Sequence, residues 1–349
     1  SEARCQETQQ RPNIVFAIAD DWGWPHAGAY GDPVVKTPTF DRLAKEGILF
    51  THAHVIAPTC TASRGGILTG QAAHRLEEGA NLWSRLPTKF RCYPDILEEA
   101  GYVVGSMRKG WGPGSLEGTG RNRNPAGPTF RSFKDFMATV PPDRPFCFWF
   151  GSHDPHRPYE AGSGAASGMD LSRIRVPPFL PDTPTVRSDI ADYYFEIQRF
   201  DRELGEIVQI LEETGRFENT LIFVTGDNGM PFPKAKATCY DAGTHVPLAV
   251  CWKARVPGGR TVEDFISLTD VAPTILEAAG LSPLPEMTGK SFLNVLTSSA
   301  SGQVDPSRDH VFTERERHTC TRPNDASYPV RSIVTGRWHL IWNLSLIHI

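Results

Sequence analysis

Apolar runs of strand length alternate with helical patterns along most of this chain. Asn13–Ala19 (N-I-V-F-A-I-A) is a continuous β-type run, which suits a strand covered on both faces. Thr37-Pro38 opens a helix that sets Phe40, Leu43 and Ala44 on one side and closes at Gly47. Further strands are predicted at residues 48–50, 102–105, 146–150, 221–224 and 247–251, and helices at 94–100 and 270–279, the last capped by Asp270. Tyr193, Ile197, Phe200, Leu204, Ile207, Val208 and Leu211 follow helical spacing over about five turns, with Gly215 as the stop. Residues 113–144 and 160–189, rich in Gly and Pro, read as loop excursions. This alternation predicts an α/β domain built on a large parallel sheet.

The texture changes near residue 298. A polar linker (T-S-S-A-S-G-Q) leads to strand-like pieces at 310–314, 330–334 and 337–342, which predict a small antiparallel subdomain. The expected organisation is a frayed terminus over 1–12, a main domain over 13–298 and a C-terminal subdomain over 299–349. The first residue is Ser1, so processing or truncation upstream is expected. Nothing in the chain reaches the length of a membrane span. A formal charge of −4 and a pI near 6.3 give no electrostatic footprint for nucleic acid. An anionic substrate therefore needs a local basic pocket. The seven cysteines show no metal-type spacing, and Cys147 and Cys251 sit inside apolar runs as small core residues.

The chemistry gathers at strand ends. Asp20-Asp21, Lys109, His153/His156 and Asp227-Asn228 each follow a predicted buried strand, and in an open parallel sheet those carboxyl ends line one ligand-binding edge. Alone, each acidic pair reads as a solvated turn. Together they supply hard oxygen ligands of the kind Ca²⁺ or Mg²⁺ prefers. Arg64, Lys109, Lys236 and Arg157 are the candidate cations around an oxyanion, and His156 is the candidate proton donor. In the stretch A-P-T-C-T-A-S-R-G-G-I-L-T-G-Q (57–71), Cys60 and Arg64 fall one helical turn apart if a helix begins at Cys60. The unpaired N–H groups of that helix start then face whatever Cys60 holds.

The set D-D (20–21), C-T-A-S-R (60–64), M-R-K-G-W (107–111), H-D-P-H-R (153–157) and G-D-N-G-M-P-F-P-K-A-K (226–236) resembles the type I, formylglycine-dependent sulfatases. Within them it is most similar to the heparan N-sulfatase (sulfamidase-like) branch, through H-D-P-H-R, D-N-G-x-P-F-P and Y-P-V-R at 328–331. The resemblance covers about residues 11–343. It implies an alkaline-phosphatase-like sulfatase fold: a large, mostly parallel sheet flanked by helices plus the small antiparallel subdomain.

What it implies for the site is specific. Cys60 becomes formylglycine, whose hydrate is the nucleophile, and Arg64 orients it. Asp20, Asp21, Asp227 and Asn228, with the residue made from Cys60, hold Ca²⁺, with Mg²⁺ as the alternative. Lys109 and Lys236 bind the sulfate, His156 protonates the leaving group, and Arg157 and His245 face the substrate. The implied partners are a sulfated saccharide and a formylglycine-generating enzyme. The implied location is exported: periplasmic, secreted or lysosomal.

Three departures stand out. Arg108 takes the place of a glycine and Trp111 that of a histidine near the sulfate lysine, which predicts one hydrogen-bond donor fewer in the pocket. Ala62 takes the place of the commoner proline. The chain ends at S-L-I-H-I where family members continue, so the C-terminal subdomain reads as cut short. Two competing readings remain at this point: a phosphonate or phosphate ester hydrolase of the same superfamily, and a non-catalytic protein that binds sulfated glycans.

Overall fold

A computed structural model describes residues 11–320 and 322–344. Its strands are β1 (Asn13–Ala19), β2 (Ile48–His54), β3 (Ser84–Arg85), β4 (Val103–Arg108), β5 (Gly114–Ser115) and β6 (Thr129–Phe130). They continue as β7 (Phe146–Gly151), β8 (Thr220–Gly226), β9 (His245–Cys251), β10 (Arg260–Ser267), β11 (His310–Arg315), β12 (Val330–Thr335) and β13 (His339–Asn343). The helices that matter here are α1 (Pro38–Glu46), α2 (Cys60–Thr69), α3 (Tyr93–Glu99), α4 (Phe133–Met137), α5 (Ser163–Ala166), α6 (Pro184–Glu213), α7 (Asp241–Thr244) and α8 (Val271–Ala278).

Eight strands form one sheet in the order β10-β2-β9-β8-β1-β7-β4-β6. Every pairing in it is parallel except those of β9, which runs antiparallel to both β8 and β2. Central β1 shows why the run at 13–19 has no polar face. Ile14, Phe16 and Ile18 pack toward α2, α3 and α8, whereas Val15, Ala17 and Ala19 pack toward α1 and α6. Both faces are dry, so both alternating sets are apolar. β11, β12 and β13 make the predicted antiparallel sheet. It docks on the main body through Phe265, Val311 and Val334 and through Glu314 N–H to Ile56 O at 2.7 Å.

Several expectations are revised. β10 was not predicted, because its buried polar side chains broke the apolar pattern. Arg260 is bonded to the Pro257, Val295, Leu296 and Ala300 carbonyls, and Asp264 accepts from the Val304 and Asp305 amides. α6 begins at Pro184, inside the predicted excursion, with the Thr183 hydroxyl accepting from Val186 N–H. Asp270 stands at the start of α8 but caps nothing; its carboxylate takes Lys290 N–H and Arg308 instead. The 113–144 excursion carries β5, β6 and α4. Of the terminus expected to fray, residues 1–10 lie outside the described residues, while Arg11 donates to Ala100 O at 2.8 Å. Among the described residues, no helix is long and apolar enough to cross a membrane.

Candidate active site

The carboxyl ends of β1, β4, β7 and β8 bring the four predicted clusters to one edge of the sheet. α2 starts at Cys60 as expected, and all ten of its residues are buried. Arg64, one turn on, is fully buried and spans the cluster. Its Nε donates to Asp227 Oδ2 at 2.7 Å, and Nη1 donates to the Lys109 and Gly110 carbonyls at 2.8 and 3.0 Å. Two glycines leave room for the close backbone packing around this cluster. A Cβ at Gly151 would stand 1.7 Å from Lys109 O, and one at Gly229 would stand 1.8 Å from Ala242 O.

The acidic groups interlock. Asp21, at φ +72°, donates its N–H to Asp227 Oδ1 at 2.9 Å. Tyr193 of α6 holds that turn, donating to Asp21 O and accepting from Gly23 N–H. Asn228 Nδ2 donates to Asp21 Oδ1 at 2.8 Å. Lys109 Nζ lies 2.5 Å from Asp20 Oδ2, and Lys236 Nζ lies 2.7 Å from Asp21 Oδ2. Cys60 Sγ stands 3.4 Å from Asp20 Oδ1.

Donor atoms of Asp20, Asp21, Cys60 and Asp227 all lie within 4.8 Å of one another. Asn228 Oδ1 is buried beside them with no hydrogen-bond partner. A buried orphan acceptor is costly unless something outside the chain satisfies it. Three carboxylates and that orphan amide oxygen, all hard oxygen donors, fit a divalent cation of the Ca²⁺ or Mg²⁺ type.

Electrostatics separates the roles of these groups. Burial, with Asp20 and Asp227 close by, pushes the Cys60 thiol far above its ordinary range, so it is no ready thiolate. Burial also works on Asp20, yet Lys109 and Arg64 hold its carboxyl well below the usual range. Burial and the neighbouring carboxylates push Asp21 up to about 6 despite Lys236. Burial works against the Lys109 and Lys236 ammonium groups too, but the surrounding acids keep both above the ordinary lysine value.

A cleft of about 850 Å³ opens above Cys60, Asp20, Lys109 and Lys236. His156 stands at its wall, half exposed, with Nε2 3.9 Å from Asp21 Oδ2. Its Nδ1 lies 2.6 Å from Arg157 O, an oxygen that only accepts, so Nδ1 carries a hydrogen and Nε2 faces the cleft. Arg108, at φ +59°, forms a two-pronged pair with Glu203 of α6. Trp111 is buried with its indole N–H unpartnered, so it adds no donor to the pocket.

Two expected substrate contacts are placed differently. Arg157 lines the cleft, but its guanidinium is taken by Asp189 and Pro231 O and lies over the Tyr159 and Phe232 rings. It braces the 153–158 loop. His245 is buried outside the cleft, because antiparallel β9 starts where β2 ends and pairs it with His54. Its ring stacks between Trp24 and His54, with Nε2 on Thr51 O and Nδ1 toward Asp241. Several cleft residues carry no sequence signal, His318 among them. His318, from the loop after β11, bonds the Thr59 hydroxyl through Nδ1 at 2.9 Å. Burial, with Lys236 and Arg315 nearby, lowers it to about 4. No spacing signal ties residue 318 to residue 59.

A buried cysteine at a helix start, an acidic cluster that could hold a metal ion and several basic groups thus meet at one edge of the α/β sheet. Residues 12–281 match the Sulfatase family, and residues 234–346 match "N-sulphoglucosamine sulphohydrolase, C-terminal". The chain belongs to the sulfatase family, and is an enzyme of that class. It is 30% identical to the human N-sulphoglucosamine sulphohydrolase over 95% of this chain and 73% of that protein. It is 27% identical to an ulvan-active sulfatase of Formosa agariphila over 88% of this chain and 58% of that one. A protein solved in complex with its substrate D-glucosamine-2-N,6-O-disulfate shares the fold, with a TM-score of 0.74 at 17% identity over 96% of this chain and 92% of that one.

Proposed function

We propose that this protein hydrolyses sulfate, as ester or sulfamate, from heparan-type or related sulfated saccharides. The observation that carries the reading is the convergence of Cys60, Arg64, Lys109, His156 and Lys236 on a three-aspartate cradle at the floor of one cleft. The likeness to the human N-sulphoglucosamine sulphohydrolase supports the glucosamine end of that class.

Formylglycine made from Cys60 would supply, as its hydrate, a nucleophilic oxygen for sulfur and a second hydroxyl whose loss of a proton would let sulfate leave and restore the aldehyde. A thiol lacks that second group. Asp20, Asp21, Asp227 and Asn228 would hold a Ca²⁺ or Mg²⁺ ion, which would supply positive charge to offset that of an anionic substrate. The chain's own groups do the rest. Arg64 fixes Asp227 and the start of α2 in register. Lys109 and Lys236 bring two ammonium groups to the cleft floor, where negative charge shifts between the non-bridging and leaving atoms. His156 Nε2 faces the cleft and delivers a proton to the departing alcohol or amine; with Nδ1 already protonated, that role requires the imidazolium form.

The maturation partner is a formylglycine-generating enzyme and the location is an exported one, both on the strength of the family. The test is mass spectrometry of the Cys60 peptide from a host with the maturation enzyme, beside sulfate release from defined N- and O-sulfated glucosamine saccharides. An aldehyde at position 60 and release by the matured protein alone are expected. Full activity from protein carrying an intact thiol rejects the mechanism, and faster turnover of matched aryl phosphates than aryl sulfates rejects the substrate class.

A further inference from the structure

Among the described residues that line the cleft, Trp83 is the large apolar side chain left open to water, at 72% exposure. Its backbone sits at φ +56°, a region that bulky side chains disfavour, so tertiary contacts rather than local preference hold it. Trp83 N–H donates to Pro113 O at 3.2 Å, and the next residue, Ser84, pairs with Gly114 as β3 meets β5. Gly114 has no room for a side chain there: a Cβ would stand 2.4 Å from the Trp111 ring and 2.7 Å from Ser84 O.

The same Pro113 carbonyl accepts the Thr61 hydroxyl at 2.6 Å. Thr61 follows Cys60 directly in α2. One oxygen therefore ties the backbone beneath the indole to the backbone beside the reacting residue. An exposed indole on a strained, pinned support is poorly explained as packing, since it covers little of the protein. It is well explained as a surface kept rigid for a ligand.

The rest of the lining sets the chemistry of that ligand. Beyond the basic floor it includes Glu160, Glu196 and Arg199, with Asn124, His153 and His156, whose side chains offer hydrogen-bond donors and acceptors. The volume of about 850 Å³ is that of a site for a drug-sized molecule, far more than a sulfate ion fills. A pyranose ring has an apolar C–H face and a rim of hydroxyls, which matches one aromatic plate in a polar cleft.

We propose that Trp83 is a stacking platform for a sugar ring of the substrate, and so a determinant of saccharide affinity. This rests on the saccharide reading given above. The test uses matured protein and its Trp83→Ala and Trp83→Phe variants, assayed on a sulfated glucosamine saccharide and for inhibition by inorganic sulfate. The alanine variant is expected to raise KM roughly tenfold, as loss of an aromatic stacking partner does, with kcat within about twofold. Phenylalanine restores most of the affinity, and inhibition by sulfate, which engages only the cationic floor, stays the same.

Equal losses in kcat and in sulfate inhibition, or an unchanged KM in the alanine variant, overturn the platform and leave the sulfatase chemistry intact. The converse failure is separable. If wild-type protein releases no sulfate from any saccharide tested, while a saccharide still quenches indole fluorescence in wild type and not in Trp83→Phe, the proposed chemistry is lost and the platform stands.

Discussion

Asn228 Nδ2 donates to Asp21 Oδ1 at 2.8 Å, and the Oδ1 of the same amide is buried with no hydrogen-bond partner. That unsatisfied oxygen is a group a divalent cation would satisfy. Adding Ca²⁺ is expected to raise the thermal midpoint by several degrees. Binding at a hundred times Kd stabilises by about 2.7 kcal/mol, and a chain of this size gains roughly 1–2 °C per kcal/mol. Asn228→Ala removes both the ligand and the bond to Asp21, so its shift should fall to a small fraction of that. Differential scanning fluorimetry with and without chelator measures both; equal shifts in the two proteins count against this assignment.

The Arg64–Asp227 contact, 2.7 Å with neither side chain exposed, predicts a large stability effect. Arg64→Ala leaves a buried carboxylate without its partner, a class of change that costs about 3–5 kcal/mol. Arg64→Lys keeps the charge but cannot also reach the Lys109 and Gly110 carbonyls, so it should recover only part of the loss. Urea unfolding of the three proteins reads the order directly. A lysine variant as stable as wild type would mean that charge alone matters at this position.

Those two pairs also show what was legible before the fold was known. Aspartates and a lysine set directly after apolar runs mark strand ends, and a parallel sheet puts strand ends on one edge, so the convergence of Asp20, Lys109, His156 and Asp227 followed from pattern alone. β10 did not, because Arg260 and Asp264 are satisfied by backbone groups at residues 295–305 that no local window contains. His245 was misplaced for a similar reason. Its position depends on β9 running against its neighbours, and apolar periodicity carries no strand direction. Arg157 resembled a free cation until its partner Asp189, thirty-two residues on, was seen. His318 and Trp83 reach the cleft from segments whose sequence holds no chemical signature.

A pH dependence follows from Glu196, buried in the cleft wall near Asp154 and paired with Arg199. Burial and Asp154 raise its carboxyl to about 7, with Arg199 opposing. A carboxyl raised on folding holds its proton more tightly in the native state. Its stabilising contribution is therefore complete below the unfolded value and is lost as pH rises through about 7. Asp154 Oδ2 is a buried acceptor that takes no hydrogen bond, with Arg199 Nε 3.4 Å away, and a protonated Glu196 would donate to it. Glu196→Gln keeps a donor at every pH, so it should match wild type near pH 5 and exceed it by about 1–2 kcal/mol near pH 8. Unfolding midpoints across that range test the sign. A variant that gains on acidification relative to wild type contradicts it.

Lys109 exerts opposite effects on a cation and on an anion at the same site. Asp20, Asp21 and Asp227 carry three negative charges, and Arg64, Lys109 and Lys236 carry three positive ones, each within hydrogen-bond reach of a carboxylate. The chain thus balances its own cradle, and a divalent cation added there leaves a surplus of two positive charges for an anionic sulfuryl group. Lys109 repels that cation and attracts the substrate. Lys109→Ala should therefore bind Ca²⁺ roughly tenfold or more tightly, since a unit charge a few ångströms away is worth a few kcal/mol before screening. The same variant should lose inhibition by sulfate and most of its turnover. Calcium titration by calorimetry, set beside sulfate inhibition, separates the two signs. Parallel weakening of both would show that Lys109 holds the fold of the cradle rather than its charge balance.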